Sequence, residues 1–113
     1  MIKRGQVWWA NLDPARGTEA GKIRPVVILQ TDLLNDVGHP SSIVCPTTTN
    51  LARKASILRV HLQKGEAGNK EPCDIMVDQI RTIDNTRLMA PMGFLSTANL
   101  QKLSDNLKIL LDL

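Results

Sequence analysis

Residues 21–30, a turn that runs into a strand, constrain the fold of this chain more than any other segment. Residues 26–29 are four consecutive apolar residues, three of them β-branched, which is typical of a strand covered on both faces. Pro25 has no backbone N–H to give to a sheet, so the strand is expected to begin beside it or to lie at an edge there. Arg24 is therefore predicted where a loop meets the sheet, and from there its guanidinium can donate two hydrogen bonds to one phosphate.

Length and cysteine usage narrow the class of protein. A chain of 113 residues predicts a single domain over residues 1–113. No segment approaches the roughly 20 apolar residues of a membrane span, and the N-terminus lacks an apolar signal core with a cleavage site. We therefore expect a cytoplasmic protein without membrane contact. Cys45 and Cys73 form no CxxC pair and have no histidine at ligand spacing, which predicts buried free thiols and no metal site.

The positive charge is concentrated in the first part of the chain. Residues 1–64 carry nine Lys/Arg against four Asp/Glu, a balance of +5, whereas residues 65–113 carry five against seven, a balance of −2. This asymmetry favours a surface for a polyanion or an acidic partner without deciding between them. Trp8 and Trp9 are predicted to fill the core or an interface, and the lack of an aromatic stripe disfavours an RNA binder built on stacking platforms.

The apolar pattern predicts six short strands and one terminal helix. The strands are expected over residues 6–12, 24–30, 42–48, 56–62, 74–83 and 87–94, the last broken at Pro91. In the fourth strand, Leu58, Val60 and Leu62 should face inward and Arg59 and His61 outward. Thr31 should cap a short helix, and Ser96 should cap a helix whose apolar stripe is Leu100, Leu103, Leu107 and Leu110. This order predicts a mostly β fold, a small curled antiparallel barrel with a C-terminal α-helix and short helices.

Two long loops and one polar strand end hold the candidate contacts for a nucleic acid. The loops cover residues 13–23 and 63–72, and loops of this length in a compact domain are often functional. Residues 47–50 form the polar end of the third strand. Asp78 and Gln79 are predicted to read base edges, since an amide can both donate and accept hydrogen bonds. The candidate RNA-binding residues are Arg16, Glu19, Lys22, Thr47, Asn50, Arg53, Asp78 and Gln79.

Five blocks in this order resemble the MazF/PemK toxins, the ribonuclease half of bacterial toxin–antitoxin pairs. The matching residues are 3–8 (KRGQVW), 21–29 (GKIRPVVIL), 46–48 (PTT), 78–84 (DQIRTID) and the terminal helix. The resemblance implies an SH3-like barrel, a homodimer, and sequence-specific cleavage of single-stranded messenger RNA without a metal or other cofactor. It further implies inhibition of translation and growth, and neutralisation by a cognate antitoxin. We expect that antitoxin to lay an acidic, disordered tail into the basic groove.

The resemblance also implies that Arg24 and Thr48 are the catalytic residues. Cleavage without a metal uses the RNA's own 2′-OH as nucleophile and yields a 2′,3′-cyclic phosphate and a 5′-OH. Arg24 suits stabilisation of the charge on the phosphorane, and the Thr48 hydroxyl can donate to another phosphate oxygen. The general base stays open, because arginine holds its proton in proteins. His39 and His61 are the histidines to consider for that role.

Two other functions stay open from the sequence alone. A toxin with the same barrel can act without catalysis by poisoning a protein target such as DNA gyrase, and it would not need Arg24 or Thr48. A non-catalytic SH3-like RNA-binding or adaptor domain is the third reading.

Overall fold

Seven antiparallel strands and one long helix make up the fold in the computed structural model, which describes residues 1–113. The strands are β1 (Gln6–Asn11), β2 (Ile23–Ile28), β3 (Ser41–Thr48), β4 (Arg59–Leu62), β5 (Cys73–Met76), β6 (Arg81–Asp84) and β7 (Leu88–Phe94). The helices are α1 (Asp32–Asn35) and α2 (Thr97–Leu110). Single 3₁₀ turns lie at Glu66–Gly68, Val77–Gln79 and Asn85–Arg87. The predicted mostly β fold with a C-terminal helix is confirmed.

Strand β3 is the centre of the sheet because it pairs with three neighbours. The strand order is β4-β5-β3-β2-β1-β7, and β6 also pairs with β3. β6 lies along residues 41–44 of β3, and β5 lies along Thr47 and Thr48. Pro46 stands where β3 exchanges one neighbour for the other, so its missing N–H removes no ladder bond on that side.

The structure corrects three of the predicted strands. The strand expected over residues 74–83 is two strands, since the chain must cross from one half of β3 to the other and does so through the turn Val77–Gln79. The strand expected from residue 56 begins only at Arg59, and Leu58 is exposed. Strand β7 is not broken at Pro91, which pairs with Trp8 between two register shifts at the sheet edge.

Side chains on the two faces of β1 belong to two different apolar clusters, as expected for a strand whose successive side chains point to opposite faces. Val7 belongs to a 12-residue cluster beneath α2, and Ala10 belongs to a six-residue cluster on the other face. On α2, Leu103 is fully buried, Leu100 and Leu107 pack against the larger cluster, and Leu110 remains partly exposed. Ser96 accepts a hydrogen bond from Asn99 N–H, so the predicted N-cap is confirmed.

The ladder does not join β4 to β7, and a loop covers the gap between them. Here the turn Glu66–Gly68 packs directly against β7: a Cβ on Gly68 would lie 2.8 Å from the Met92 carbonyl oxygen, and Gly68 has a φ of +82°. Both carboxylate oxygens of Glu66 accept hydrogen bonds from the Asn99 amide at 2.8 Å, which fastens the loop to α2. This loop forms one wall of the groove described below.

Asp74 on β5 holds the segment after β3 in place. Its carboxylate is fully buried and accepts a hydrogen bond from Ala52 N–H at 2.7 Å. His61 Nδ1 lies 2.7 Å from it, Arg59 Nη1 3.2 Å and Arg53 Nη1 3.6 Å. Burial would raise the pKa of Asp74, but the hydrogen bonds from Ala52 and His61 and the nearby cations lower it below the ordinary value. His61, predicted to face solvent, is therefore part of an ionic cluster.

We expect Asp74→Asn to lower the free energy of unfolding by about 3 kcal/mol, because it removes the counter-charge of a buried ionic cluster. The melting temperature should fall by about 10–15 °C, measured by circular dichroism. Asp78→Asn, at an exposed carboxylate in the neighbouring turn, is the matched control. Because the folded-state pKa of Asp74 is depressed, its stabilisation is complete above about pH 4 and is lost as the pH falls through that pKa. Equal melting of the two variants at pH 7 would contradict this role.

Candidate active site

A groove of about 1000 Å³ opens where β1, β2 and β3 meet the loop between β4 and β5. Its walls bring together polar residues at the end of β3, three cations and a few apolar side chains. The lining residues are Trp9, Lys22, Ile23, Arg24, Pro25, Thr47, Thr48, Thr49, Asn50, Gly68, Asn69, Lys70, Glu71, Cys73, Pro91 and Met92.

The guanidinium of Arg24 is fixed between a loop and a strand. Its Nε donates to the Gly21 carbonyl at 2.7 Å, and its Nη1 donates to the Thr47 carbonyl at 3.1 Å. Nη2 makes no hydrogen bond to a protein group, so this face of the fork can donate to a ligand. The side chain is half-buried and lines the groove. Arg24 therefore lies where the sequence predicts it, at the point where a loop meets the sheet.

Thr47 and Thr48 have different hydrogen-bonding roles at the end of β3. Thr47 is buried, and its hydroxyl donates to the Pro25 carbonyl at 2.9 Å. It ties β3 to the strand that carries Arg24, and its hydroxyl is not free for a ligand. Thr48 is half-buried, and its Oγ1 accepts from Asn50 N–H at 3.1 Å, which leaves the hydroxyl hydrogen free to donate into the groove.

The loop over residues 13–22 is anchored on its far side, away from the groove. Glu19 accepts from Arg16 N–H at 2.8 Å and lies 3.7 Å from Arg81 Nη2. Gln79 Oε1 accepts from Ala20 N–H at 3.1 Å. At its base, Arg87 donates to the carbonyls of Asn11 and Asp13. The loop that delivers Gly21 to Arg24 is thereby held at both ends.

Only some of the site residues predicted from the sequence line the groove. Lys22, Thr47 and Asn50 line the groove together with Arg24 and Thr48. Arg16, Glu19, Asp78 and Gln79 do not line it, and neither does Arg53, which faces a second depression beside Asp74.

Neither histidine lines the groove. His39 is exposed in the loop after α1. Both ring nitrogens of His61 face acceptors, with Nδ1 2.7 Å from Asp74 and Nε2 3.2 Å from the Ala55 carbonyl. A ring held in this way has no free nitrogen with which to take a proton from a substrate.

Sequence reasoning missed four polar or aromatic residues of the groove: Trp9, Asn69, Lys70 and Glu71. Trp9, expected to fill the core or an interface, is 41% exposed. Antiparallel pairing of β1 with β2 places it opposite Pro25, so counting back from the connecting loop would have brought it beside Arg24. The other three residues depend on how the loop 63–72 folds across the gap between β4 and β7, which no local pattern specifies.

The thiols carry no chemistry here. Cys73 touches the groove but is 3% exposed, and burial raises its pKa to about 11. Burial raises the pKa of Cys45 to about 12, so both stay protonated and inert at neutral pH. Both cysteines are free and buried, as predicted.

Two negative findings complete the description. No set of three or more His, Cys, Asp or Glu side chains is gathered closely enough to hold a metal ion. None of the helices has the length and apolar character needed to cross a membrane.

Comparison with known proteins places this chain in a family. The family model described as "PemK-like, MazF-like toxin of type II toxin-antitoxin system" matches residues 3–111. The curated protein "Endoribonuclease MazF9" of Mycobacterium tuberculosis is 38% identical over 117 residues, covering 100% of this chain and 98% of that protein. "Endoribonuclease MazF" of Staphylococcus epidermidis is 35% identical over 113 residues, covering 100% and 93%.

Solved structures agree on the fold. MazF from Deinococcus radiodurans superimposes with a TM-score of 0.83 at 24% identity, over 99% of this chain and 97% of that one. With the family model and the curated relatives, this confirms the resemblance drawn from the sequence: the chain belongs to the PemK/MazF family of type II toxin–antitoxin toxins.

Proposed function

We propose that this protein is an endoribonuclease toxin that cleaves single-stranded RNA by attack of the 2′-OH on the adjacent phosphorus. The observation that carries the proposal is the guanidinium of Arg24, held by two backbone carbonyls beside Thr48 in an open, cationic groove. The relatives named endoribonuclease match the whole chain and support the class of activity.

Arg24 stabilises the charge that develops on the phosphorane. Two of its N–H groups donate to backbone carbonyls of the protein, so the guanidinium is oriented before the substrate binds and needs little reorganisation in the transition state. Preorganised donors of this kind contribute about 3–4 kcal/mol to the transition state. Because Arg24 holds its proton, its role is electrostatic, and Thr48 donates a further hydrogen bond to a phosphate oxygen.

No metal is required in this scheme, because the nucleophile belongs to the substrate. The three cations Lys22, Arg24 and Lys70 support this, since they supply positive charge at the groove. The products are a 2′,3′-cyclic phosphate and a 5′-OH.

The groove selects unpaired RNA. Duplex RNA in the A form hides the base edges that a sequence-specific enzyme reads. Trp9 offers a face on which a splayed base can stack, and the exposed Asn50 amide can donate to and accept from its edge. Cleavage of messenger RNA at such sites would stop translation and growth.

A cognate antitoxin and a second copy of the chain are the proposed partners. A solved mycobacterial relative, 19% identical with a TM-score of 0.79, is titled "Endoribonuclease in complex with its cognate antitoxin". An acidic, disordered tail would fit the cationic groove and compete with RNA. Exposed Ile109, Leu111 and Leu113 at the C-terminus give apolar area suited to a homodimer.

The direct test is to incubate the purified protein with a long single-stranded RNA in excess EDTA and to map the new 5′ ends. We expect cuts at one short recurring motif, with 5′-hydroxyl termini that polynucleotide kinase can label without phosphatase treatment. Intact RNA in EDTA that is cut once Mg²⁺ is restored would contradict metal independence. RNA that stays intact under both conditions, together with stalled gyrase, would favour the gyrase-poisoning function instead.

We expect Arg24→Ala to lower kcat about 10²–10³-fold while RNA binding persists, because the lost contact forms in the transition state. Arg24→Lys should also be impaired, since an ammonium cannot donate to Gly21, Thr47 and a phosphate as a planar fork does. Lys22→Ala is the comparison, because it removes a neighbouring groove cation and should raise KM more than it lowers kcat. Arg24→Ala cleaving at the wild-type rate would show that the site is assigned wrongly.

We expect Trp9→Ala to weaken binding of single-stranded RNA by about 1–3 kcal/mol, the usual value of one base–aromatic stack. Trp9→Phe should restore most of the affinity, whereas Trp9→Leu, equally apolar, should not. Fluorescence anisotropy with an RNA lacking the attacking 2′-OH gives the dissociation constants. Equal affinity of the Phe and Leu variants would mean that Trp9 contributes apolar area rather than a stacking face.

A further inference from the structure

A second depression, of about 380 Å³, lies beside Asp74 and is lined almost entirely by polar and cationic groups. Its walls carry Arg53, Lys54, Arg59 and Lys102, and no Asp or Glu lines it. We call it the basic pocket. Arg53 and Arg59 pair with the single buried charge of Asp74, so the four cations and this carboxylate together carry a net charge of +3.

The two arginines of the basic pocket lie against Asp74 before any ligand binds. Arg59 Nη1 bonds both Asp74, at 3.2 Å, and the Asn50 carbonyl, at 3.0 Å. Arg53 Nη1 stands 3.6 Å from the other oxygen of Asp74, with 42% of its side chain exposed. Each guanidinium keeps N–H groups free, so the pocket presents oriented donors suited to phosphate oxygens.

The basic pocket adjoins the groove. Asn50 lines the groove, and its carbonyl is bonded to Arg59, which lines the pocket. Arg53 follows Asn50 by three positions, which separates their Cα atoms by at most about 11 Å in an extended chain. A strand that leaves the groove past Asn50 therefore meets the pocket at once.

We propose that the basic pocket is a second phosphate subsite that holds the sugar–phosphate backbone of the RNA strand after it leaves the groove. This proposal rests on the proposed function and extends it. The substrate is an RNA strand longer than the groove, and the part of the strand outside the groove is bound through its backbone, without recognition of its base sequence. Ala55 is the one apolar residue of the pocket, so a peptide would find no apolar anchor there. Phosphates need none, since Arg and Lys contacts to the backbone are electrostatic.

The test compares two double variants that remove equal charge. Lys54→Ala/Lys102→Ala takes two cations from the basic pocket, one on a loop and one on α2. Lys64→Ala/Lys108→Ala removes a loop lysine and an α2 lysine that line neither depression. None of the four lysines makes an ion pair, so both variants should fold, which melting curves verify.

The probes are fluorescein-labelled 2′-O-methyl oligouridylates of about six and about 20 nucleotides, which span the range of single-strand site sizes and cannot be cleaved by 2′-OH attack. For the long probe, the pocket variant should bind about tenfold more weakly than wild type. Its salt dependence, the slope of log K against log[salt], should be shallower by about 1.4, for two lost phosphate contacts. For the short probe, wild type and pocket variant should bind alike, and the control variant should match wild type on both probes.

Equal binding of the long probe by the two double variants would overturn the proposal, and so would failure of the wild-type protein to bind either probe. The proposal would also be overturned if the pocket variant bound a 20-residue polyglutamate peptide more weakly than wild type but bound RNA equally well. That result would assign the pocket to an acidic protein partner. These measurements need no cleavage, so a protein that binds the long probe through the pocket but does not cut RNA would refute the proposed activity alone.

Discussion

The hydrogen bonds from Arg24 to the carbonyls of Gly21 and Thr47 are the interaction on which the site depends. They join the loop before β2 and the start of β2 to the end of β3, which lies 23 positions further along the chain. A free arginine side chain loses up to about 2 kcal/mol of rotamer entropy when it is fixed. Here the side chain of Arg24 loses this entropy when the protein folds, so neither substrate binding nor formation of the transition state has to restrict it again.

The rest of the fold keeps those two carbonyls in place. Thr47 is buried and bonded to Pro25, so the end of β3 cannot move away from β2. The loop that carries Gly21 is fixed by Gln79 on one side and Arg87 on the other. Gln79, expected from the sequence to read bases, thus has its side-chain carbonyl engaged in supporting the loop. Two cations of the basic pocket are supported in the same way, since buried Asp74 contacts both Arg53 and Arg59.

The sequence predicts the features that depend on local patterns. The alternation in β1, the apolar run of β2, the Ser96 cap and the first three leucines of the α2 stripe lie as expected, because burial and capping act over a few residues. The fourth, Leu110, is exposed. The segment around Arg24 predicts its place where a loop meets the sheet, whereas the family resemblance is what assigns Thr48 to the same site. The split between β5 and β6 could not be foreseen, since it depends on which half of β3 each strand pairs with. Lys70 and Glu71 line the groove because of how the loop 63–72 packs, which no local pattern specifies.

The central claim is that the fixed guanidinium of Arg24 contacts a particular nonbridging oxygen of the scissile phosphate in the transition state. Replacing either nonbridging oxygen with sulfur gives two diastereomeric substrates, and their cleavage rates report which oxygen receives the hydrogen bond. For the wild-type protein we predict that one diastereomer is cut about tenfold or more slowly than the other, and that this ratio falls toward one in Arg24→Lys. The same rate ratio in both proteins would show that Arg24 does not contact the reacting phosphate.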